Sequence, residues 1–165
     1  MSSYSTPLRE IECRIEALQA KMAQNGLDGA LIVQRADLFY FSGTGQDGHL
    51  FVPTAGRPLL LVRRDYERAR QDSPLERVLP TGALSDVKNA VLASRLPAMK
   101  SLGMELDVLP VNNYRIYQDL FQEVEIEDVS PLIREVRMIK SPYELDLIRQ
   151  AAKMNDAMFG HVKDV

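Results

Sequence analysis

The run Leu27-Asp28-Gly29-Ala30-Leu31-Ile32-Val33 constrains the fold more than any other stretch of the chain. It is short and nearly all apolar, as a strand covered on both faces must be, and such a strand needs helices above and below it. An amphipathic helix is predicted just before it. Thr6-Pro7 opens that helix, and Leu8, Ile11, Ile15, Leu18 and Met22 recur in steps of three and four among Arg9, Glu10, Glu12, Arg14, Glu16 and Lys21. Asn25-Gly26 closes it, with Gly26 suited to the left-handed position after a helix. So short a stripe predicts a helix docked on a sheet rather than a coiled coil.

The alternation continues along the chain. Residues 37–41 read as a helical turn before Ser42-Gly43, and residues 49–53 and 58–62 read as a hairpin joined by Thr54-Ala55-Gly56-Arg57. A charged helix is expected over 64–71, a short strand over 76–79, and a helix over 86–96 capped by Ser85. Residues 101–105 then read as strand, 111–121 as helix and 125–129 as the last strand. This order predicts an α/β fold: a three-layer domain whose mixed, partly parallel sheet of five or six strands is covered by helices on both faces. The 165 residues suffice for one sizeable core, and 45% hydrophobic with 26% charged residues argues against a disordered chain.

Several function classes drop out on simple grounds. A net charge of −3 leaves no electrostatic footprint for nucleic acid. No apolar run approaches the roughly 18 residues needed to span a bilayer. The start, MSSYSTPLRE, lacks the basic and apolar segments of a secretory signal, so a cytoplasmic protein is expected, with no membrane partner. A single cysteine, Cys13, excludes an internal disulfide framework and a cysteine zinc cluster. Without a cationic neighbour Cys13 is read as an inert thiol. His49 and His161 do not share a metal-ligand spacing.

Gly43-Thr44-Gly45-Gln46-Asp47-Gly48 satisfies the pattern GxGxxG, yet a dinucleotide site needs a strand just before it and a helix just after. Here the strand ends about ten residues too early and another strand follows, so the glycines are expected to permit a mobile surface loop. Glu123-Val124-Glu125-Ile126-Glu127-Asp128 reads as a strand with one apolar and one charged face. Arg63, Arg64, Arg68 and Arg70, interleaved with Asp65 and Glu67, read as a solvated, self-paired helix face.

The clearest helix start lies near the end of the chain. In Arg137-Met138-Ile139-Lys140-Ser141-Pro142-Tyr143-Glu144, Ser141 serves as N-cap, Pro142 fills the first helical position and Glu144 closes a capping box. Leu145, Leu147, Ile148, Ala151, Ala152, Met154, Met158 and Phe159 follow as a broad apolar surface with little chain left to cover it.

This junction resembles the one between the N-terminal and catalytic domains of the creatinase/prolidase/aminopeptidase P superfamily, whose catalytic half has the pita-bread fold. Gly26-Leu27-Asp28-Gly29-Ala30-Leu31-Ile32, Tyr40-Phe41-Ser42-Gly43 and Gly103-Met104-Glu105-Leu106-Asp107-Val108-Leu109-Pro110 agree with it in order and spacing. The resemblance is nearest to an Xaa-Pro dipeptidase. It implies a creatinase/prolidase-like N-terminal domain over 1–137, and over 138–165 a linker with the first helix of a truncated catalytic domain. It also implies two divalent metals (manganese, cobalt or zinc) in that missing domain, held by two aspartates, a histidine and two glutamates so that a shared water is activated. None of these ligands is expected in this chain. Asp146 and Asp156 do not substitute for them, so the chain alone is expected to be inactive, with no catalytic residue and no cofactor.

Further implications are a homodimer in which this domain helps shape the partner's pocket for short proline-containing peptides. Tyr40, Asp47 and His49, with Arg63, are the substrate-pocket candidates acting in trans. Two alternatives stand beside this reading: a metal-free relative that binds peptides or proteins, and a creatinase-type amidinohydrolase.

Overall fold

The computed structural model describes residues 5–94 and 99–162, with side chains as far as Phe159 on the last helix. In chain order the elements are α1 (Leu8–Gln24), β1 (Gly29–Ile32), α2 (Arg35–Ser42), β2 (Gly48–Pro53), β3 (Leu59–Val62), α3 (Tyr66–Asp72) and β4 (Val78–Pro80). There follow α4 (Leu84–Ala93), β5 (Ser101–Met104), α5 (Val111–Leu120), β6 (Glu125–Asp128), α6 (Ser130–Met138) and α7 (Pro142–Val162). The described strands form one sheet in the order β4-β3-β2-β1-β5-β6. β1 runs antiparallel to β2, and β2 to β3, whereas β1–β5, β5–β6 and β3–β4 are parallel. The expected mixed α/β sheet is therefore present.

Side chains alternate across the pleat and divide the core in two. Ala30, Ile32, Leu50, Val52, Leu60 and Val62 pack against Ile11, Ile15, Leu18 and Met22 of α1, Leu38 and Phe41 of α2, and Leu132, Ile133 and Val136 of α6. On the other face Leu31, Phe51, Leu59 and Leu61 meet Val87 and Val91 of α4 and Tyr117 of α5. β1 is buried at all four positions, as its composition requires. Leu8, expected on the α1 stripe, is about half exposed, and its place in the buried face is taken by Arg14.

Several expectations need correction. α6 is a helix where the sequence pattern predicted no element between the last strand and Ser141. Pro131 sits in its first turn, and Leu132, Ile133 and Val136 face the core at helical spacing. α3 begins at Tyr66 rather than Arg64 because Asp65 adopts a left-handed conformation (φ 55°), which aspartate tolerates better than most residues. α4 starts after Ala83, not Ser85: the Asp86 carboxylate reaches back to accept the Ala83 N–H at 3.0 Å. The expected end of that helix, Leu96, lies outside the described residues.

The loop after α2 was expected to be mobile, yet it is tied down. Gly43 ends α2 in a left-handed conformation (φ 79°). Ser42 Oγ donates to the Leu38 carbonyl at 2.6 Å, Ser73 Oγ donates to the Ser42 carbonyl at 2.6 Å, and Arg35 Nε donates to the Gly45 carbonyl at 2.9 Å. Gly48 has a second purpose: a Cβ there would lie 2.4 Å from the Leu61 carbonyl oxygen, so only glycine lets β2 approach β3 this closely. The glycines of this motif therefore close a helix and seat a hairpin.

The capping box at Ser141 is formed as expected. The Ser141 N–H donates to Glu144 Oε2 at 2.9 Å, and the Glu144 N–H donates to Ser141 Oγ at 3.1 Å. Beyond it α7 is exposed from Leu145 to Phe159.

Candidate functional site

Parallel neighbours β1 and β5 end side by side, and the helices that follow them leave on opposite faces of the sheet: α2 on one, α5 on the other. Open α/β sheets bind ligands at such a point, outside the carboxyl ends of the strands. Here the protein fills it with its own carboxylate. Glu105, 1% exposed, accepts the Val33 N–H at 2.8 Å and the Gln34 N–H at 3.3 Å. Burial raises this carboxyl to about 7, against the pull of those two N–H groups, and Asp37 and Asp107 add to the rise.

Beside this point a cleft of about 390 Å³ opens between the hairpin and α5, with Asp47, His49, Arg63, Asn113, Ile116 and Tyr117 among its lining residues. Register explains how three of them meet. Gly48 pairs with Val62, so Asp47 just before β2 and Arg63 just after β3 fall side by side. The Arg63 N–H donates to the Asp47 carbonyl at 2.8 Å, and Arg63 Nε and Nη2 donate to Asp47 Oδ2 at 2.9 and 2.5 Å. Both side chains remain well exposed, so the pair contributes at most about 1 kcal/mol to stability.

One residue further in, His49 is only 7% exposed, with Nε2 2.7 Å from the Tyr117 hydroxyl on α5. Its Nδ1 is buried with no hydrogen-bond partner among the described residues. Burial pushes the imidazole down to about 4, with Arg63 adding to the fall and Asp47 opposing it. Burial likewise raises the Tyr117 phenol to about 12. Both groups are therefore neutral near pH 7. A neutral floor beneath a paired acid and base is suited to holding polar groups by hydrogen bonds.

Tyr40 does not join this cleft. It packs on the opposite face of the sheet, its ring 4.1 Å beneath the Arg14 guanidinium and 5.6 Å from that of Arg137. Of the four candidates, then, Asp47, His49 and Arg63 are brought together and Tyr40 stands apart. Tyr117, Glu105 and Arg14 were missed as interacting residues. Arg14 alone had a local signal, lying three residues after Ile11 and four before Leu18, a cation inside an apolar stripe.

Among the described residues no group of three or more His, Cys, Asp and Glu is placed to hold a metal ion, so these residues do not fit a dinuclear centre. No described helix is long and apolar enough to cross a membrane.

A three-layer α/β domain with a polar cleft at the ends of its strands is the class this geometry defines. Residues 14–139 match the family described as the creatinase/prolidase N-terminal domain, and the chain belongs to that family. It is 27% identical over 147 residues to the Xaa-Pro dipeptidase of Pyrococcus furiosus, a match covering 87% of this chain and 40% of that protein. To the uncharacterized peptidase YqhT of Bacillus subtilis it is 26% identical over 151 residues, covering 90% of this chain and 42% of YqhT. The chain thus spans about two fifths of the length of these curated relatives. Its fold superposes on an Xaa-Pro dipeptidase from Bacillus anthracis with a TM-score of 0.82 at 23% identity, over 92% of this chain and 42% of that one. A solved chain of an Xaa-Pro aminopeptidase from Streptococcus thermophilus is matched over 98% of its length and 77% of this chain, with a TM-score of 0.66 at 20% identity.

Proposed function

We propose that this chain is the non-catalytic N-terminal part of an Xaa-Pro dipeptidase or aminopeptidase, contributing to oligomerisation and to shaping the substrate pocket. In this reading residues 1–137 are the domain proper, and 138–165 are a linker and the first helix of the catalytic domain. The observation that carries the reading is extent. The N-terminal domain family takes residues 14–139, and a relative named Xaa-Pro dipeptidase is matched over only 40% of its own length. The apolar surface of α7, with Leu145, Ile148, Met154, Met158 and Phe159 exposed, supports a further body of protein packed there.

Two divalent metals, manganese, cobalt or zinc, belong to that further body and supply an activated water when bound. The residues of this chain act by position instead. Asp47 and Arg63 present an acid and a base at the rim of the cleft, suited to the charged termini of short proline-containing peptides in a neighbouring pocket of a homodimer. His49 and Tyr117 hold the floor beneath them, and Tyr40 lines a separate pocket with Arg137 and Glu144.

Incubated with manganese or cobalt and an Xaa-Pro dipeptide, the isolated chain should release no proline; metal-dependent turnover by it would sink this reading. A second reading has one observation behind it: a creatinase from a Bacillus species is 26% identical over 169 residues, covering 89% of this chain. Assay of the native protein with an Xaa-Pro dipeptide and with creatine separates the two.

A further inference from the structure

Arg14 is the most enclosed cation described on the α1 face of the sheet, 8% exposed and engaged from several sides. Its Nε donates to Glu10 Oε1 at 3.0 Å, one turn back on α1. Its Nη1 donates to the Tyr40 carbonyl at 2.8 Å, and the guanidinium lies over the Tyr40 ring. Its Nη2 lies 2.9 Å from Glu10 Oε1 and 3.3 Å from Glu144 Oε1, in the first turn of α7. Glu10 Oε1 also accepts the Ser141 hydroxyl at 2.8 Å. The capping box that starts α7 is thereby bonded to α1 through one guanidinium and one serine.

The rest of α7 offers nothing comparable. Ser141, Tyr143 and Glu144 are partly buried at its start, and from Leu145 to Phe159 every residue is exposed. The neighbouring ion pair, Arg137 with Asp37, ties the end of α6 to α2 and stops two residues short of the family-matched boundary at 139. Among the described residues, only the Arg14 group, with Glu10 and Ser141, bonds across that boundary to the start of α7.

The geometry points to Arg14 as an orientation clamp: by holding Glu144 of α7 against Glu10 of α1, it sets the direction in which α7 leaves the domain. Two carboxylates on different helices share one planar, multi-donor cation, and the cation is what allows them to lie together in a dry corner. Without it Glu10 and Glu144 repel, and no other described contact holds the first turn of α7 at that angle except the Ser141 hydroxyl. For a longer parent, a consequence resting on the function proposed above, the clamp fixes how this domain sits on whatever α7 carries.

The test reads direction rather than activity. Cys13 is exposed on α1 and takes one nitroxide label, and Lys153→Cys on the exposed part of α7 takes a second. Electron-spin distance measurement on the full chain should give one narrow distribution. Glu144→Gln keeps an acceptor for the capping box but removes the charge facing Arg14, and should at least double the width. Arg14→Met should do the same, and Arg14→Lys should fall between, since it keeps the charge and loses the fork. The thermal midpoint of the label-bearing parent serves as the folding control. If Arg14→Met fails to fold, Glu144→Gln decides alone. A width unchanged in Glu144→Gln overturns the clamp. Metal-dependent turnover by the chain would sink the proposed function and leave this result untouched.

Discussion

Folding this chain between pH 4.5 and 6.5 moves a proton from one buried side chain to another, and the exchange is measurable. His49 falls from an ordinary 6.5 to about 4 in the folded state, so the unfolded chain binds the extra proton and stability is lost as pH falls through that interval. Glu105 rises from 4.5 to about 7, so the folded chain binds the extra proton and stability is lost as pH rises through that interval. Each displacement corresponds to roughly 3 kcal/mol, with a slope of about 1.4 kcal/mol per pH unit where the windows overlap. With opposite signs the two contributions oppose each other, and the wild-type profile from this pair should be shallow.

Single substitutions unmask each half. Glu105→Gln keeps an acceptor for the Val33 N–H and leaves His49 uncompensated, so unfolding free energy relative to wild type should rise by about 1.4 kcal/mol per pH unit from 4.5 to 6.5. His49→Gln keeps a polar partner for the Tyr117 hydroxyl and leaves Glu105 uncompensated, so the relative free energy should fall at the same rate. Urea unfolding at pH 4.5, 5.5 and 6.5 reads both, as midpoint shifts of about 0.5–1.4 M per pH unit in opposite directions. Taking each variant against wild type removes the titration of the remaining carboxylates. Three parallel profiles would refute the assignment of these two groups.

Gly48→Ala should cost roughly 1–3 kcal/mol in urea unfolding, because its Cβ meets the Leu61 backbone. Gly45→Ala, with nothing within 4 Å of the added carbon, is the control and should differ little from wild type; equal losses at both positions would argue against the close approach. Sedimentation equilibrium should show self-association, through the face formed by residues 40–62 or through the apolar surface of α7. A monomer at every accessible concentration would count against the homodimer.

What could be read in the sequence was what depends on neighbours a few residues apart. The buried β1, the left-handed Gly26 after α1 and the Ser141–Glu144 capping box are of this kind, each a local pattern with one good solution. What could not be read depends on distant partners. Glu105 meets Val33 and Gln34 about seventy residues away, and His49 meets Tyr117 across 68 positions. Nothing in either local sequence names the other. α6 was hidden for a different reason: the marked helix start at Ser141 drew the boundary to itself, although Leu132, Ile133 and Val136 already carry helical spacing. Tyr40 was grouped with Asp47 and His49 by closeness in sequence, but α2 and β2 pack it and His49 on opposite sides of the sheet.

The two outermost strands limit how copies of this domain can meet. At one margin β6 carries Glu125, Glu127 and Asp128 exposed, a row of like charges that repels the same row on another molecule. At the other margin β4 is three residues long and ends in Pro80, which has no N–H to offer a further strand. Continuing the sheet from one molecule into the next is disfavoured at both ends. Copies that associate are therefore expected to meet through the faces, helices or loops of the domain rather than by extending the sheet edge to edge.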